Sequence, residues 1–289
     1  MFQDFVNKVN SNNWEVFGIE VFHDGTIVAK HDFVPDKRHP IYSATKTITA
    51  TAVGIAVKEG KFTIEAPLFE YLSDALPSDL TSQQLKQVKR ITIRQLMSMS
   101  VTGFPFRPEG DNWIEYSLRC PMAYLEPSVF TYSNIPAYLV GVAVENAVGE
   151  HLIEYLKPRL FDVLEIDTPV YQNCPSGHFY GATGMQLTVN ELSRIGQLYM
   201  QNGVYNGVFV LPSEWVTDAT SIRQMNKEGG YGYFIWKYKN GYRISGKWGQ
   251  TCLVFPKQKL MVTYLSNMKS GSGAVISAIE EDILSKYGI

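Results

Sequence analysis

The sequence predicts an α+β fold in which one antiparallel sheet is built from both ends of the chain. Near the N-terminus, Asp24-Gly25 is a two-residue hairpin signal, and near the C-terminus Asn240-Gly241 is another. After Gly60 the patterns indicate helices and loops for more than one hundred residues. Together these observations predict a sheet closed by both termini and flanked by helices, with a mostly helical lobe inserted in the middle.

The same signals divide the chain into two parts. Residues 1–60 and 186–289 are expected to form an α/β sheet lobe, and residues 61–185 are expected to form the helical lobe. No internal repeat, low-complexity tract or obvious linker is visible.

The N-terminal elements follow from hydrophobic periodicity. Residues 2–10 read as a short amphipathic helix. Alternation from Trp14 to His23 predicts a strand, which Asp24-Gly25 turns into a second strand at Thr26 to Lys30. A loop over residues 31–41 then leads to the next helix.

The later elements are marked by caps and turns. Thr92 can cap a helix that reaches Met99, and Thr188-Val189-Asn190-Glu191 is a capping box. The remaining predicted helices are one from about Pro136 to Gly149, one from His151 to about Phe161, and a final one from Ser272 to Lys286. The remaining predicted strands are Tyr231 to Tyr238, Tyr242 to Trp248, Thr251 to Phe255 and Leu260 to Ser266.

Composition limits the partners and the compartment. The chain has 289 residues, a net charge of -2 and 45% hydrophobic residues, so a nucleic-acid or membrane-surface partner is not expected. No export signal or membrane span is visible, which predicts a cytoplasmic protein. Its three cysteines lie far apart and share no ligand spacing with the five histidines. We therefore expect buried thiols, and neither a metal nor another cofactor.

The stretch Tyr42-Ser43-Ala44-Thr45-Lys46 opens a run of small and apolar residues. In a helix, Ser43 and Lys46 lie on one face, a single turn apart. The run that follows has almost no polar face, so the helix should be buried. Burial lowers the pKa of a lysine, and a neutral lysine can take the proton of a neighbouring serine. Alternatively, Ser43 is a helix N-cap and Lys46 reaches solvent.

Two further motifs follow along the chain. Tyr132-Ser133-Asn134 precedes an apolar helix, and Lys247-Trp248-Gly249 ends a predicted strand. With Ser43-x-x-Lys46 they resemble, in order, the three motifs of the serine β-lactamase and penicillin-binding-protein superfamily. The resemblance is to its class C β-lactamase-like branch of esterases and DD-peptidases. It implies a β-lactamase/transpeptidase-like fold with an active site between the two lobes.

The resemblance extends over almost the whole chain. Each triplet recurs by chance, as in the second S-x-x-K at Ser266 to Lys269, but that serine leaves a strand for a Gly/Ser-rich loop. Further stretches similar to family landmarks occur in the right order: Ile91 to Met97, Phe130 to Asn134, Gly181 to Met185, Asn206-Gly207 and Leu211 to Trp215.

The resemblance implies the chemistry of acyl transfer. Ser43 would attack a carbonyl and become acylated, and Lys46 would take its proton. Tyr132, held between Lys46 and Lys247, would carry that proton to the leaving group and later activate water. The remaining implied roles concern binding. Asn134 would hold the Lys46 amine or a substrate amide, Gln250 and Ser43 would offer backbone N–H groups to the oxyanion, and Gly249 would allow close approach of the substrate.

Each residue also has a plainer interpretation. Tyr132 could be a core aromatic whose hydroxyl is tied to backbone. Lys247 could be a charge that protects an edge strand, and Asn134 could simply cap the helix that follows it.

The sequence departs from the family at Trp248, where β-lactamases usually have a small hydroxyl residue. If its side chain points into the cleft, it narrows the cleft and removes a polar contact; if it points away, it contributes only packing. The chain is also shorter than secreted class C enzymes. These departures favour an esterase or amidase of β-lactamase fold acting on a small-molecule ester, amide or β-lactam. Nearby aromatics, Trp113, Tyr231, Tyr233 and Trp236, would suit an apolar group.

Other functions are less consistent with the sequence. A Ser-His-Asp hydrolase lacks its G-x-S-x-G elbow here, and a zinc hydrolase lacks H-E-x-x-H. Class A β-lactamase chemistry expects S-D-N where Tyr132-Ser133-Asn134 stands. A non-hydrolytic penicillin-binding or sensor-type relative that acylates without turnover, and a DD-peptidase, remain alternatives.

Overall fold

The computed structural model describes residues 2–289 and confirms the predicted α+β fold. Six antiparallel strands form one sheet, in the spatial order β2-β1-β6-β5-β4-β3. The strands are β1 (Val16–His23), β2 (Thr26–Asp32), β3 (Trp236–Tyr238), β4 (Gly241–Gly246), β5 (Gln250–Phe255) and β6 (Leu260–Ser266). Because β1 pairs with β6, with Val21 opposite Val262, both ends of the chain close the sheet as the sequence predicts.

Helices pack on both faces of this sheet. In the sequence, most of them lie between the N-terminal strands β1 and β2 and the C-terminal strands β3 to β6. Within residues 2–289 they are α1 (Phe2–Ser11), α2 (Thr45–Lys58), α3 (Phe69–Leu72), α4 (Ser82–Val88), α5 (Ile93–Met97), α6 (Trp113–Arg119), α7 (Ile135–Val148), α8 (Leu152–Leu156), α9 (Val189–Met200), α10 (Ser213–Thr220) and α11 (Ser272–Asp282). The predicted capping boxes at Thr92 and Thr188 are both formed.

Short elements complete the chain. The 3-10 turns are Tyr42–Ala44, Ser73–Ala75, Pro256–Gln258 and Leu284–Tyr287, and Lys157–Phe161 is a π-helical turn. Two-residue ladders join His39–Pro40 to Gln186–Leu187, Val101–Thr102 to Ala123–Tyr124, and Val204–Tyr205 to Val208–Phe209.

The core has two parts, one on each face of the sheet. One face packs α1 and α11 against β1, β5 and β6, with Phe5 and Ile279 fully buried there. The other face packs against α9, where Gly196 leaves room for the sulfur atoms of Cys252 and Met261. Beyond α9 the same apolar cluster continues through α2 and α7 into the helical lobe. The division at residues 60/61 and 185/186 stays a prediction.

The predicted strand from Tyr231 to Tyr238 is only Trp236–Tyr238. The first half of the predicted strand does not join the sheet, because its backbone hydrogen bonds go to helices. The Tyr233 N–H donates to the carbonyl of Ala219, and the Phe234 N–H donates to that of Met97. The hairpin turn that follows is Lys239-Asn240 rather than Asn240-Gly241. Gly241 instead pairs with Tyr238, and a side chain there would overlap the Val254 carbonyl.

Three other predicted boundaries move for local reasons. The helix from His151 to Phe161 changes to a π-helical turn at Lys157, because Pro158 has no N–H to donate. The strand expected to reach Trp248 ends at Gly246, since Trp248 and Gly249 both have positive φ, at 65° and 86°. The last helix ends at Asp282 and continues as a 3-10 turn.

Candidate active site

Ser43 lies on the 3-10 turn Tyr42–Ala44 that leads directly into α2. Its side chain is half-buried, and it does not cap either helical segment, so the N-cap interpretation is wrong. The preceding residue, Tyr42, has a φ of 47°, a left-handed conformation that costs a non-glycine residue about 1–3 kcal/mol. Such strain persists only where the surroundings enforce it, which is typical of functional sites.

The sheet holds this turn in place. A side chain at Gly246 would overlap the carbonyl oxygen of Ile41, two residues before Ser43. The Ile41 N–H in turn donates to the carbonyl of Met185, at 3.0 Å. The end of β4 therefore lies directly against the segment that presents Ser43.

Replacing Gly246 with alanine should strain this contact. We expect Gly246→Ala to lower the free energy of unfolding by about 1–3 kcal/mol, as overpacking typically does, because two backbone segments must separate. Chemical denaturation would measure it. Gly273→Ala is the matched control, since a side chain there meets nothing within 4 Å. Equal stabilities for the two variants would contradict the contact.

Lys46 is completely buried, and its amine meets three polar atoms. Nζ lies 2.7 Å from Oδ1 of Asn134 and 3.0 Å from the carbonyl oxygen of Ala182, to both of which it donates. It also lies 3.3 Å from Oγ of Ser43. Burial lowers the pKa of the Lys46 amine to about 7, from 10.5.

These three contacts match the hydrogens of the protonated amine, which donates to Oγ of Ser43 as well as to the oxygens of Asn134 and Ala182. Loss of one proton leaves two N–H bonds, which Asn134 and Ala182 still accept, and a lone pair that faces Ser43. The arrangement therefore suits a base that accepts the serine proton.

Asn134 is the residue before α7, and it is almost completely buried. Its side chain makes no capping bond, so the interpretation of Asn134 as a cap is wrong; Ser133 Oγ accepts the N–H of Ile135 instead. Nδ2 of Asn134 donates to the Tyr180 hydroxyl at 3.1 Å. Both ends of the amide are thereby used, and its oxygen is directed to Lys46.

Tyr132 borders the same cleft within a cluster of aromatic rings. Its ring centroid lies 5.5 Å from that of Trp236 and 4.9 Å from the Lys46 amine. Burial raises the pKa of the Tyr132 phenol to about 12, although its hydrogen bond with Ser43 opposes the rise. The phenol is therefore protonated at neutral pH.

Lys247 is exposed at the cleft, in the turn that joins β4 to β5. Within residues 2–289 it makes no ion pair, and no hydrogen bond joins it to Tyr132. Its amine lies 4.5 Å from the ring of Trp248. Lys247 and Tyr132 nevertheless line the same cavity.

Trp248 does not line the cavity. Its ring packs edge-on against Tyr42, with centroids 5.0 Å apart. Of the two alternatives for Trp248, packing is therefore the one observed. The tryptophan instead supports the strained residue that precedes Ser43.

Gly249 and Gln250 also lie outside the cavity lining. A side chain at Gly249 would overlap Oγ of Ser266, so the neighbouring strand, rather than an approaching substrate, requires glycine there. The Gln250 side chain is buried and donates to the carbonyl of Ser266 at 2.5 Å. Its backbone N–H as an oxyanion donor stays a prediction.

The cavity has a volume of about 840 Å³. Two of the four aromatic residues predicted near the site line it, Trp113 and Trp236, whereas Tyr231 and Tyr233 are buried in the core. The cavity has several other lining residues that no sequence motif had singled out: Phe106, Arg107, Glu109, Gln172, Tyr180, Thr183, Glu228, Arg243 and Ser245. The Gly181 to Met185 landmark was the one signal that pointed near Tyr180 and the Ala182 carbonyl.

The described part of the chain was compared with the requirements of a metal site and of a membrane-spanning helix, and it meets neither. Across residues 2–289, no group of three or more histidine, cysteine, aspartate or glutamate side chains could hold a metal ion. In the same range, no helix combines the length and apolar character needed to cross a bilayer.

Comparison with known proteins identifies the family of the chain. The sequence profile of the Beta-lactamase family matches residues 17–283 of the chain. The chain belongs to the Beta-lactamase family. Its members include hydrolases, and this match covers both the sheet and the helical lobe.

Individual relatives of this Beta-lactamase family member are distant. A 6-aminohexanoate-dimer hydrolase of Paenarthrobacter ureafaciens is 24% identical over 200 residues, which are 64% of this chain and 51% of the relative. The chain thus matches about half the length of that relative.

Two solved structures share the fold. A provisionally named 6-aminohexanoate-dimer hydrolase from Bacillus anthracis is 19% identical, with a TM-score of 0.76 over 97% of this chain and 81% of that one. An octameric penicillin-binding-protein homologue from Pyrococcus abyssi is also 19% identical, with a TM-score of 0.71 over 98% and 76% of the two chains.

Proposed function

We propose that the protein is a serine hydrolase of the class C β-lactamase-like branch that cleaves a small-molecule ester or amide through an acyl-enzyme at Ser43. The observation that carries this proposal is the environment of Lys46. Its amine donates to Asn134 and Ala182, lies 3.3 Å from Oγ of Ser43, and has a pKa of about 7, so its neutral form turns a lone pair toward Ser43.

The proposed reaction proceeds in two halves. Oγ of Ser43 bonds to the substrate carbonyl carbon while its proton passes to Lys46. Tyr132 donates a proton to the leaving group as the ester or amide bond breaks, and it recovers one from Lys46. Water then attacks the acyl carbon, gives a proton back through the same groups, and releases Ser43.

The remaining residues take supporting roles in this proposal. The backbone N–H of Ser43 stabilises the oxyanion, the N–H of Gln250 stays the predicted second donor, and Asn134 holds the Lys46 amine. Lys247 adds positive charge to the wall of the cleft near Tyr132 and attracts an electron-rich substrate. Gly249 and Trp248 act through the turn, which they shape and brace against Tyr42.

An ester or an amide is the favoured substrate class. One relative is named as a hydrolase of a 6-aminohexanoate dimer, which contains an amide. The aromatic walls formed by Phe106, Trp113 and Trp236 suit an apolar portion of such a molecule. The cytoplasmic location stays a prediction, which cell fractionation would test.

A direct assay separates this function from its alternatives. A chromogenic short-chain ester and a chromogenic cephalosporin are each mixed with the protein, and product release is followed from the first turnover. A burst followed by steady turnover of the ester supports the hydrolase. A burst that stops supports an acylating sensor or penicillin-binding protein, and release from a D-Ala-D-Ala peptide supports a DD-peptidase.

The pKa of Lys46 predicts the pH profile. The protonated amine has no lone pair for Ser43, so kcat/KM for an ester should fall about tenfold per pH unit below about 7 and level off above it. Because the Tyr132 pKa is about 12, its loss of a proton should not lower activity below pH 10. Stopped-time assays from pH 5 to 10 would measure this, and a profile flat across pH 7 would contradict Lys46 as the base.

A further inference from the structure

Residues 178–185 form a loop, here called the carbonyl segment, that carries one of the partners of the Lys46 amine. The Ala182 carbonyl oxygen of this segment accepts from Nζ of Lys46 at 3.0 Å. Its Tyr180 hydroxyl accepts from Nδ2 of Asn134 at 3.1 Å. Residues 178–185 lie outside the helices and the six-stranded sheet, so contacts from other elements must fix their position.

Thr49 anchors the middle of the carbonyl segment to α2. Its side chain is completely buried, and its hydroxyl donates to the carbonyl oxygen of Gly181, next to Ala182, at 2.8 Å. Thr49 follows Lys46 by three residues, so both side chains lie on one face of the helix. A side chain at Gly181 would come within 3.0 Å of the Thr49 hydroxyl and of the Ala137 carbonyl oxygen. The segment therefore lies directly between α2 and α7.

Glu145 anchors the start of the carbonyl segment to the C-terminal part of α7. Its carboxylate is 5% exposed, accepts the Phe179 N–H at 3.2 Å, and lies 2.6 Å from Nδ1 of His178. It also accepts the N–H of Leu152, at the start of α8, at 2.9 Å. A buried carboxylate is costly unless its oxygens accept hydrogen bonds. Here those bonds join three parts of the chain, namely α7, α8 and the carbonyl segment.

The anchors lie along the length of α7. Asn134 directly precedes this helix and Glu145 lies near its other end, which corresponds to roughly 16 Å along the axis. The carbonyl segment runs beside α7 in the opposite direction, because Phe179 lies at Glu145 and Gly181 lies at Ala137. Fixing the segment at these points sets the position of the carbonyl that follows Gly181.

We propose that Thr49 and Glu145 are positioning residues for the proposed reaction. They hold the carbonyl segment so that its Ala182 oxygen stays bonded to the Lys46 amine. With that bond kept, the neutral amine directs its lone pair to Ser43. Neither Thr49 nor Glu145 lines the cavity, so both act through the segment and not on the substrate. This inference rests on the proposed hydrolase function.

Thr49→Val tests the first anchor, because it removes the hydroxyl and keeps the branched shape of the side chain. The Ala182 carbonyl can then turn away, and the ammonium form of Lys46 loses one of its three acceptors. We expect kcat for a chromogenic ester to fall about tenfold or more with KM nearly unchanged. The acid midpoint of the kcat/KM profile should move roughly one pH unit lower, since the charged amine is less well stabilised.

Two further variants distinguish positioning from general destabilisation. Thr51→Val is the matched control, since Thr51 is equally buried on the same helix but bonds to Thr47 and Tyr199. Its kcat and its acid midpoint should equal those of the wild type. Thr49→Ser keeps the hydroxyl and should recover most of the activity that Thr49→Val loses. Equal kcat values and midpoints in Thr49→Val and Thr51→Val would overturn the inference.

Glu145→Met tests the second anchor, because it removes the acceptors of the Phe179 and Leu152 N–H groups. Its kcat and acid midpoint should change in the same directions as in Thr49→Val. Glu145→Gln keeps an amide oxygen for these N–H groups and should recover part of the activity. Glu150→Met, which removes a more exposed acid beyond the same helix, is the control and should match the wild type. Wild-type kinetics in Glu145→Met would refute Glu145 as a positioning residue.

A measurement without turnover separates this inference from the proposed chemistry. NMR of isotope-labelled lysine side chains, with Lys46→Met to assign the signal, would measure the pKa of the Lys46 amine directly. This pKa should be roughly one pH unit lower in Thr49→Val than in the wild type, and unchanged in Thr51→Val. That result supports the positioning role even if no ester is hydrolysed. An equal pKa in all three proteins, or a rise in Thr49→Val, would refute the role even if the wild type hydrolyses esters.

Discussion

Ser43→Ala should abolish hydrolysis, with kcat for a chromogenic ester reduced by about 10⁴-fold or more, as in other enzymes that lose a serine nucleophile. The physical reason is that no other hydroxyl lies beside the Lys46 lone pair among the contacts of its amine. Residual rate would come only from binding and from the oxyanion donors.

Intact-mass analysis makes this result specific. A fluorophosphonate probe should add one adduct to the wild type and none to Ser43→Ala. Ser285→Ala, an exposed serine near the C-terminus, is the control and should label like the wild type. An adduct of undiminished yield on Ser43→Ala would assign the nucleophile to another residue.

Lys46→Met should lose activity nearly as completely, by roughly 10²–10⁴-fold, because the Ser43 proton then has no acceptor. The methionine fills the buried space without a charge, so folding should persist. Lys58→Met, at the exposed end of the same helix, is the matched control and should retain activity. Equal rates in wild type and Lys46→Met would rule out the lysine as base.

The same substitution predicts a pH-dependent change in stability. Burial holds the Lys46 pKa at about 7 in the folded protein, whereas the unfolded chain has 10.5. Between these two pH values the unfolded state binds more protons than the folded state. The free energy of unfolding of the wild type therefore increases by about 1.4 kcal/mol for each pH unit that the pH is raised, as far as this group is concerned. Below pH 7 the full destabilisation caused by burying the Lys46 ammonium is present, and above about pH 10.5 it is absent.

In Lys46→Met, residue 46 does not titrate, so it contributes no pH dependence to the free energy of unfolding. Its stability relative to wild type should therefore be highest at or below pH 7 and should decline steadily up to about pH 10. Urea denaturation at several pH values would measure the difference, and subtracting the two curves cancels all other titrating groups. A difference that stays constant from pH 7 to 10 would show that Lys46 is charged in the folded protein.

Much of the fold could be read from local patterns. The capping boxes at Thr92 and Thr188, and the hairpin at Asp24-Gly25, depend on residues within three positions of each other. The predicted secondary structure was wrong where hydrogen bonds to backbone groups distant in sequence determine the local conformation. Tyr233 and Phe234 have strand-like side chains, yet their N–H groups bond to carbonyls of α10 and α5.

For the site, motif spacing brought out Ser43, Lys46, Tyr132 and Asn134, and the structure places these four around one point. Spacing could not reveal the direction of Trp248, because a positive φ turns its ring toward Tyr42. Nor could it reveal Arg243 and Glu228, since neither belongs to a motif and they are joined only across the cleft.

The sequence by itself predicted that a serine and a lysine lie together at the start of an apolar helix, because helical periodicity and hydrophobicity are local properties. It also predicted that strands from both ends of the chain pair in one sheet. Tertiary structure alone decided that the pKa of the lysine falls to about 7, since that shift depends on complete burial of the amine. It likewise decided which charges face the cavity, because strand register and loop closure bring together residues far apart in sequence.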